Sequence, residues 1–236
     1  SSPGITRLMA DRLPTRLAIN GFGRIGRSVL RALWERDLQQ TLDVVAINEL
    51  ADRDTIAYLC RYDSTHGRFP GQVQLEGEHL ILDGHRVQIS HDAHIDALPW
   101  GKLGVDIVLE CSASISSRVE AQGHLQAGAQ SVLFSQPADP DIDATVVFGT
   151  NHQQLRTSDR IISAASCTTN CVVPIIKVLD GGDYHHSFCN ERPTGAGFLS
   201  PHRSAQNPGG FAIYYSGGNK TCTWHRQSAA RISRAL

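Results

Sequence analysis

The chain has 236 residues, 41% of them hydrophobic and 19% charged, enough to bury a full core and part of a second domain. A net charge of −1 leaves no broad basic surface for nucleic acid and no polybasic patch for a membrane. No apolar run approaches the roughly 20 residues that cross a bilayer, the first 14 residues lack the apolar centre of a signal peptide, and six cysteines are too sparse for a disulfide scaffold. These features predict a soluble, cytoplasmic protein with reduced thiols.

Residues 1–15, rich in Arg, Pro and Ser, read as a disordered lead with Met9 as a candidate start. Residues 16–20 (RLAIN) form a short buried strand, and residues 27–36 a helix with Val29, Leu30 and Leu33 on one face, so the glycine-rich residues 21–26 form the turn between them. Residues 42–48 are a second continuous apolar strand that ends at Glu49, as parallel strands buried on both faces require. Between Asp63 and Trp100 the segments shorten and alternate around Gly71, Gly77 and Gly84, which predicts antiparallel hairpins inserted in the sheet. A strand at 105–111, a helix ending at Ala127, and strands at 131–135, 144–149 and 161–165 follow, and a helix at 168–179 closes the series. The alternation predicts an α/β fold, a doubly wound parallel sheet of the Rossmann NAD-binding type over residues 16–166.

Two motifs carry chemistry. In the glycine turn, Gly21 permits the tight bend, Gly23 lets backbone approach a pyrophosphate, and Gly26 lets helix pack on strand, while the helix N-terminus stabilises the phosphates. Glu49, 23 residues after Gly26, can accept hydrogen bonds from a ribose hydroxyl and disfavours a 2′-phosphate, so the cofactor expected is NAD. Cys167 lies between a strand and a helix, where free backbone N–H groups and the helix dipole favour a thiolate and can hold an oxyanion. A thiol there adds to an aldehyde, and the adduct beside a nicotinamide yields a thioester. Cys171, one turn further along, reads as a small buried residue.

The segments AINGFGRIGR, AINEL, YDSTHGRF, ATVVFGTN and SAASCTTNC resemble the glyceraldehyde-3-phosphate dehydrogenase family, and the likeness spans residues 17–180. AINELAD, LPWGKLGVD and LFSQPADPDIDATVVFGTN are closer to its bacterial erythrose-4-phosphate dehydrogenase branch, which feeds pyridoxal phosphate synthesis. The resemblance implies that Arg24 and Ile25 contact the dinucleotide, that Ser135 lies near the nicotinamide, that Cys167 is the nucleophile, and that Ser166 and Thr168 contact a phosphorylated sugar aldehyde. It also implies a homo-oligomer. Two positions depart from the family pattern: its threonine-glycine after the strand ending in Cys111 is here Ser112-Ala113, and a cofactor-contacting arginine is here Ala93.

From residue 181 the composition changes. Residues 1–180 hold 14 Val and 16 Lys and Arg against 21 Asp and Glu, whereas residues 181–236 hold no Val, eight Gly, and 6 against 2. Codons for residues 183–191 (DYHHSFCNE), read from their second nucleotide, can spell ITTIHSAMN, the text in which the family carries its general-base histidine; the same shift over residues 200–222 can spell its next loop. Hence residues 167–180 are expected to be the catalytic helix that opens a truncated second domain, and residues 181–236 an out-of-frame, poorly ordered tail. His186 is accordingly not equated with the base. A zinc site from His185, His186, Cys189, Cys222 and His225 is the rival reading, but no usual ligand spacing is matched in full, and no metal is expected. The function expected is NAD-dependent oxidation of erythrose 4-phosphate to 4-phosphoerythronate, with a glyceraldehyde-3-phosphate dehydrogenase homologue or a catalytically dead NAD-binding remnant as alternatives.

Overall fold

The computed structural model describes residues 13–179, 199–203, 211–215 and 222–223. Most of the lead at residues 1–15 therefore lies outside the described residues. The elements run β1 (Thr15–Asn20), α1 (Arg24–Glu35), β2 (Leu42–Asn48), α2 (Arg53–Arg61), β3 (Tyr62–Asp63), β4 (Gly67–Arg68), β5 (Val73–Glu76), β6 (His79–Leu82), β7 (His85–Ser90), β8 (Ile107–Glu110), α3 (Arg118–Gln126), β9 (Ser131–Phe134), β10 (Ala144–Thr145), β11 (Ile161–Ser163) and α4 (Cys167–Leu179).

Nine strands form one sheet in the order β10-β11-β9-β8-β1-β2-β7-β6-β5. The strands from β10 to β7 are parallel, and β5 and β6 extend the β7 edge as an antiparallel meander. The chain leaves β1 toward β2 on one side and returns to β8 on the other, so the switch point of a doubly wound sheet lies between β1 and β8. The expected hairpins at residues 63–100 are the β3–β4 pair and this meander.

Core residues on the two faces explain why the helices settle there. Leu17, Ile19, Val44 and Ile47 pack with Leu30, Leu33 and Trp34 of α1 and Ile56, Ala57 and Cys60 of α2. Ala18, Val45, Ala46 and Val108 pack with Leu98, Trp100, Val105 and Ala129. Small residues on this second set, Ala18, Ala46 and Ala129, leave room for Trp100 to be wholly buried against the sheet. A third cluster joins Ala121 of α3 to Val132, Phe134 and Ile161. α3 starts from a capping box in which Ser117 and Glu120 satisfy each other's backbone N–H groups.

Four expectations change. α1 begins at Arg24, three residues earlier than read, because Gly26 has no Cβ to strike the carbonyl oxygen of Gly21, which would lie 2.4 Å away. α2 was not anticipated, although Asp52 caps it by accepting from Thr55 N at 2.9 Å. The strand expected at 144–149 shrinks to Ala144–Thr145, because Asn151 Oδ1 takes the N–H of Val147 at 2.7 Å and bends the chain away. α4 includes Cys167 in its first turn.

Within residues 181–236, three strands are described: β12 (Leu199–Arg203), β13 (Phe211–Tyr215) and β14 (Cys222–Thr223) pair antiparallel in that order. The other residues of that segment, including His185, His186, Cys189 and His225, lie outside the described residues, as does the question of zinc. Among the described residues, no helix is long and apolar enough to cross a membrane.

Leu30 of α1 has no exposed surface. Leu30→Ala is expected to lower the unfolding free energy of the α/β unit by about 2–5 kcal/mol in urea titration. A loss below about 1 kcal/mol would show that α1 does not pack on the sheet in this way.

Candidate active site

The turn after β1 is shaped by what its glycines omit. Gly21 has φ 88°, and a Cβ on it would lie 2.4 Å from the backbone N and Cα of Ser112, so the turn after β8 is pressed directly against it. Around Gly23 a Cβ would meet nothing within 4 Å. Gly23 is the N-cap of α1, with no side-chain cap and no acidic residue in the first turn. The first N–H groups of α1 therefore face open space, as an anion site needs. Arg24 and Ile25 occupy that first turn and are exposed.

Glu49 follows β2 directly, and its carboxylate is already organised. Oε2 accepts from Phe22 N at 2.7 Å, inside the glycine turn, and Oε1 accepts from Leu50 N at 2.8 Å and Ala51 N at 3.3 Å. A carboxylate has about four lone-pair directions, so capacity remains for a hydroxyl donor. Ala93 is exposed in the loop after β7.

Beneath the crevice lies a buried polar chain that sequence reading missed. Asn48, Asn20 and Glu110 are aligned across β2, β1 and β8. Asp92 N donates to Asn48 Oδ1 (3.0 Å), Asn48 Nδ2 to Asn20 Oδ1 (2.8 Å), and Asn20 Nδ2 to Glu110 Oε2 (2.6 Å). From the other side Trp100 Nε1 donates to His124 Nδ1 at 3.0 Å. An indole only donates, so His124 carries its proton on Nε2, which donates to Glu110 Oε2 at 3.0 Å. Glu110 Oε1 accepts the N–H and hydroxyl of Ser112 at 2.8 and 2.5 Å. Burial pushes the Glu110 carboxyl up, but the donors from His124, Ser112 and Asn20 outweigh it and hold the group below the ordinary carboxylate range. The signal available in sequence was the polar residue closing each of three apolar strands.

The turn after β11 presents Cys167. Ala165 is buried at φ 60°, a left-handed conformation for an alanine, and its N–H donates to Ser163 Oγ at 3.0 Å. Ser163 Oγ in turn donates to Gln136 O at 2.7 Å. Ser166 caps α4 by accepting from Thr169 N at 2.9 Å, and Asn170 Nδ2 donates to Ala164 O and Ser166 O. The chain thus reverses sharply and leaves Cys167 exposed on the first helical turn, with Thr168 half-buried beside it. Ser135 Oγ donates to Gln136 Oε1 at 2.8 Å, and Gln136 Nε2 donates to Ile115 O at 3.2 Å. Gln136 therefore ties the turns after β8, β9 and β11 together, a role that sequence reading did not assign.

Cys60, Cys111, Cys167 and Cys171 fall into two classes. Burial pushes Cys60 up to about 12 and Cys111 up to about 11, so both stay thiols. Cys167 and Cys171 are exposed, and the reading of Cys171 as buried is corrected: it lies one turn after Cys167 on the same outward face, while Val173 points inward.

Glycine turn, acid after the second strand and helix N-terminus all meet at the switch-point end of a doubly wound sheet. This is a dinucleotide-binding domain of the Rossmann class. Residues 15–118 match a family model described as glyceraldehyde 3-phosphate dehydrogenase, NAD binding domain. The match runs from the first residue of β1 to the first of α3, and NAD is the cofactor that such a domain takes. β9–β11 and Cys167 lie beyond it.

Glu110→Gln tests the polar chain. A glutamine amide cannot accept on both sides, so it must turn N–H groups toward Ser112 or toward Asn20 and His124. A loss of about 2–5 kcal/mol in urea unfolding at pH 7 is expected. Because the folded Glu110 sits below its ordinary value, its contribution persists at neutral pH and fades as pH falls through the folded value. The difference between wild type and Glu110→Gln should therefore shrink below the ordinary carboxylate range.

In the folded protein, iodoacetamide with peptide mass mapping is expected to modify Cys167 and Cys171 and to spare Cys60 and Cys111. Early labelling of Cys60 would contradict its burial.

Proposed function

We propose that this chain carries the NAD-binding domain and catalytic helix of a cytoplasmic dehydrogenase that oxidises a phosphorylated aldose, erythrose 4-phosphate to 4-phosphoerythronate. The observation that carries the reading is Cys167, exposed on the first turn of a capped helix at the strand-end edge that also bears the glycine turn. In this reading Gly21, Gly23, Gly26, Arg24 and Ile25 bind the dinucleotide, Glu49 accepts from its ribose, and Ser135 lies near the nicotinamide. The open Gly23 and the uncapped first turn of α1 fit the phosphates. Cys167 as thiolate adds to the aldehyde carbon, with Ser166 and Thr168 alongside the substrate, and the N–H groups of the α4 first turn stabilise the oxyanion. NAD, when bound, supplies the acceptor for the hydride that leaves this adduct. The resulting thioester is cleaved by water, which releases the acid and returns the thiol.

Erythrose 4-phosphate is favoured by AINELAD, LPWGKLGVD and the segment at residues 133–151. Glyceraldehyde 3-phosphate is the second reading, favoured by the description of the matching family model. The general base would belong to the passage replaced by residues 183–191, so the chain as it stands binds NAD with little or no turnover, and family-type assembly into a homo-oligomer is impaired.

Two enzymes should be assayed side by side with both sugars: the chain itself and a version whose reading frame is restored after residue 180. The restored enzyme is expected to turn over at roughly 1 per second or more, to prefer erythrose 4-phosphate, and to lose about a thousandfold or more with Cys167→Ser. Turnover at that rate by the unaltered chain would refute the reading of its tail. A Cys167→Ser enzyme with full activity would refute the nucleophile.

A further inference from the structure

Between β8 and α3 the chain makes a tight turn at residues 112–114, with Ala113 at φ 59°. An alanine takes that conformation only when its surroundings hold it there. Ser112 donates its hydroxyl hydrogen to Glu110 Oε1, so its oxygen is left to accept, from Ser114 N at 3.2 Å and from the Ser114 hydroxyl at 2.6 Å. The backbone N–H of Ser112 goes to the same Glu110 oxygen. Glu110 cannot follow if the turn relaxes, because it is wholly buried, β8 is paired on both sides, and its other oxygen is held by Asn20 and His124. The turn fixed in this way is the backbone pressed against Gly21. In a doubly wound sheet the ligand crevice opens at the switch point, here between β1 and β8, so this turn forms a wall of the crevice.

We propose that Glu110 is a positioning residue for the dinucleotide: its buried carboxylate clamps the strained turn at residues 112–114 against Gly21 and so gives the crevice its shape before ligand arrives. The proposal rests on the reading of this domain as NAD-binding. Glu110 itself touches no ligand; it acts through Ser112. Without the clamp, Ala113 relaxes to negative φ and the wall shifts, so NAD must then reorganise the turn on binding and affinity falls. Glycine at position 113 reaches positive φ unaided, so it makes the clamp less necessary.

The test is calorimetric titration of the full chain and its variants with NAD, paired with thermal melting and amide hydrogen exchange at residues 112–115 without ligand. Ser112→Ala is expected to raise the NAD Kd by about five- to tenfold and to speed exchange at Ser114. Ser112→Thr, which keeps the hydroxyl, should stay within about twofold of wild type. Ser112→Ala combined with Ala113→Gly should lose less affinity than Ser112→Ala alone. Unchanged NAD affinity in Ser112→Ala, or equal loss in Ser112→Ala and Ser112→Thr, would overturn the proposal while the cofactor assignment stands. Loss of affinity that only mirrors the drop in ligand-free melting temperature would do the same. If the wild-type chain binds no NAD, the cofactor reading fails and the proposal falls with it, whatever the exchange data show.

Discussion

The carboxylate of Glu110 is the group on which the switch point depends. It is an anion with no exposed surface, held by the donors of Asn20, Ser112 and His124, with no arginine or lysine among them. Moving an unpaired carboxylate out of water costs several kcal/mol even after relaxation, so it survives only if every lone pair finds a donor. Along this chain the donors lead to it: Asp92 to Asn48 to Asn20 from one side, Trp100 to His124 from the other, and Ser112 directly, while the second amide hydrogen of Asn48 returns to Asp92 O. This direction fixes the orientation of both asparagine amides and the tautomer of His124. It also ties together β1, β2, β8, α3 and the loops after β7 and before β8 in one hydrogen-bonded network.

How much of this was legible in the sequence depended on the range of the forces involved. β2 was read to the residue, because the apolar run at residues 44–47, closed by Asn48, needs no partner to be recognised. The start of α1 was misread because a glycine-rich motif looks like loop, whereas the missing Cβ of Gly26 is what allows the helix to begin early. α2 escaped because its signals are short: a cap at Asp52 and one buried face of Ile56, Ala57 and Cys60. The polar chain joins Asn20 to Glu110 across 90 residues, and no local period encodes that pairing. The departure of Ala113 from a family glycine was visible as a letter, but its positive φ became visible only in three dimensions.

Cys167 was placed correctly at a strand–helix junction, yet what shapes that junction was not foreseen. Ala113 and Ala165 share a pattern: each stands left-handed just past the end of a parallel strand beside a serine hydroxyl, that of Ser112 bonded back to Glu110 at the end of β8 and that of Ser163 bonded to Gln136 after β9. Backbone held away from its preferred regions costs on the order of 1–3 kcal/mol per residue and persists only where neighbours over-determine it. Both alanines lie at the edge of the sheet where the sequence motifs also converge, while the strands behind them are regular.

That arrangement separates binding from chemistry along the chain. The groups proposed for the dinucleotide, and the clamp beneath them, belong to residues 20–124 and take their hydrogen bonds from one another. None of these bonds reaches past α3, so they do not depend on any residue after 124. A thioester cycle has a further requirement, a base that takes the proton from Cys167 or its adduct, and no strand of the sheet brings a histidine to that turn among the described residues. His124, the buried histidine nearest the crevice in the bonding chain, spends both ring nitrogens on Trp100 and Glu110 and has none left for a substrate. On the proposed reading, cofactor binding and catalysis are therefore separable, because the first is built from contacts within one sheet and the second needs a base that none of these contacts provides.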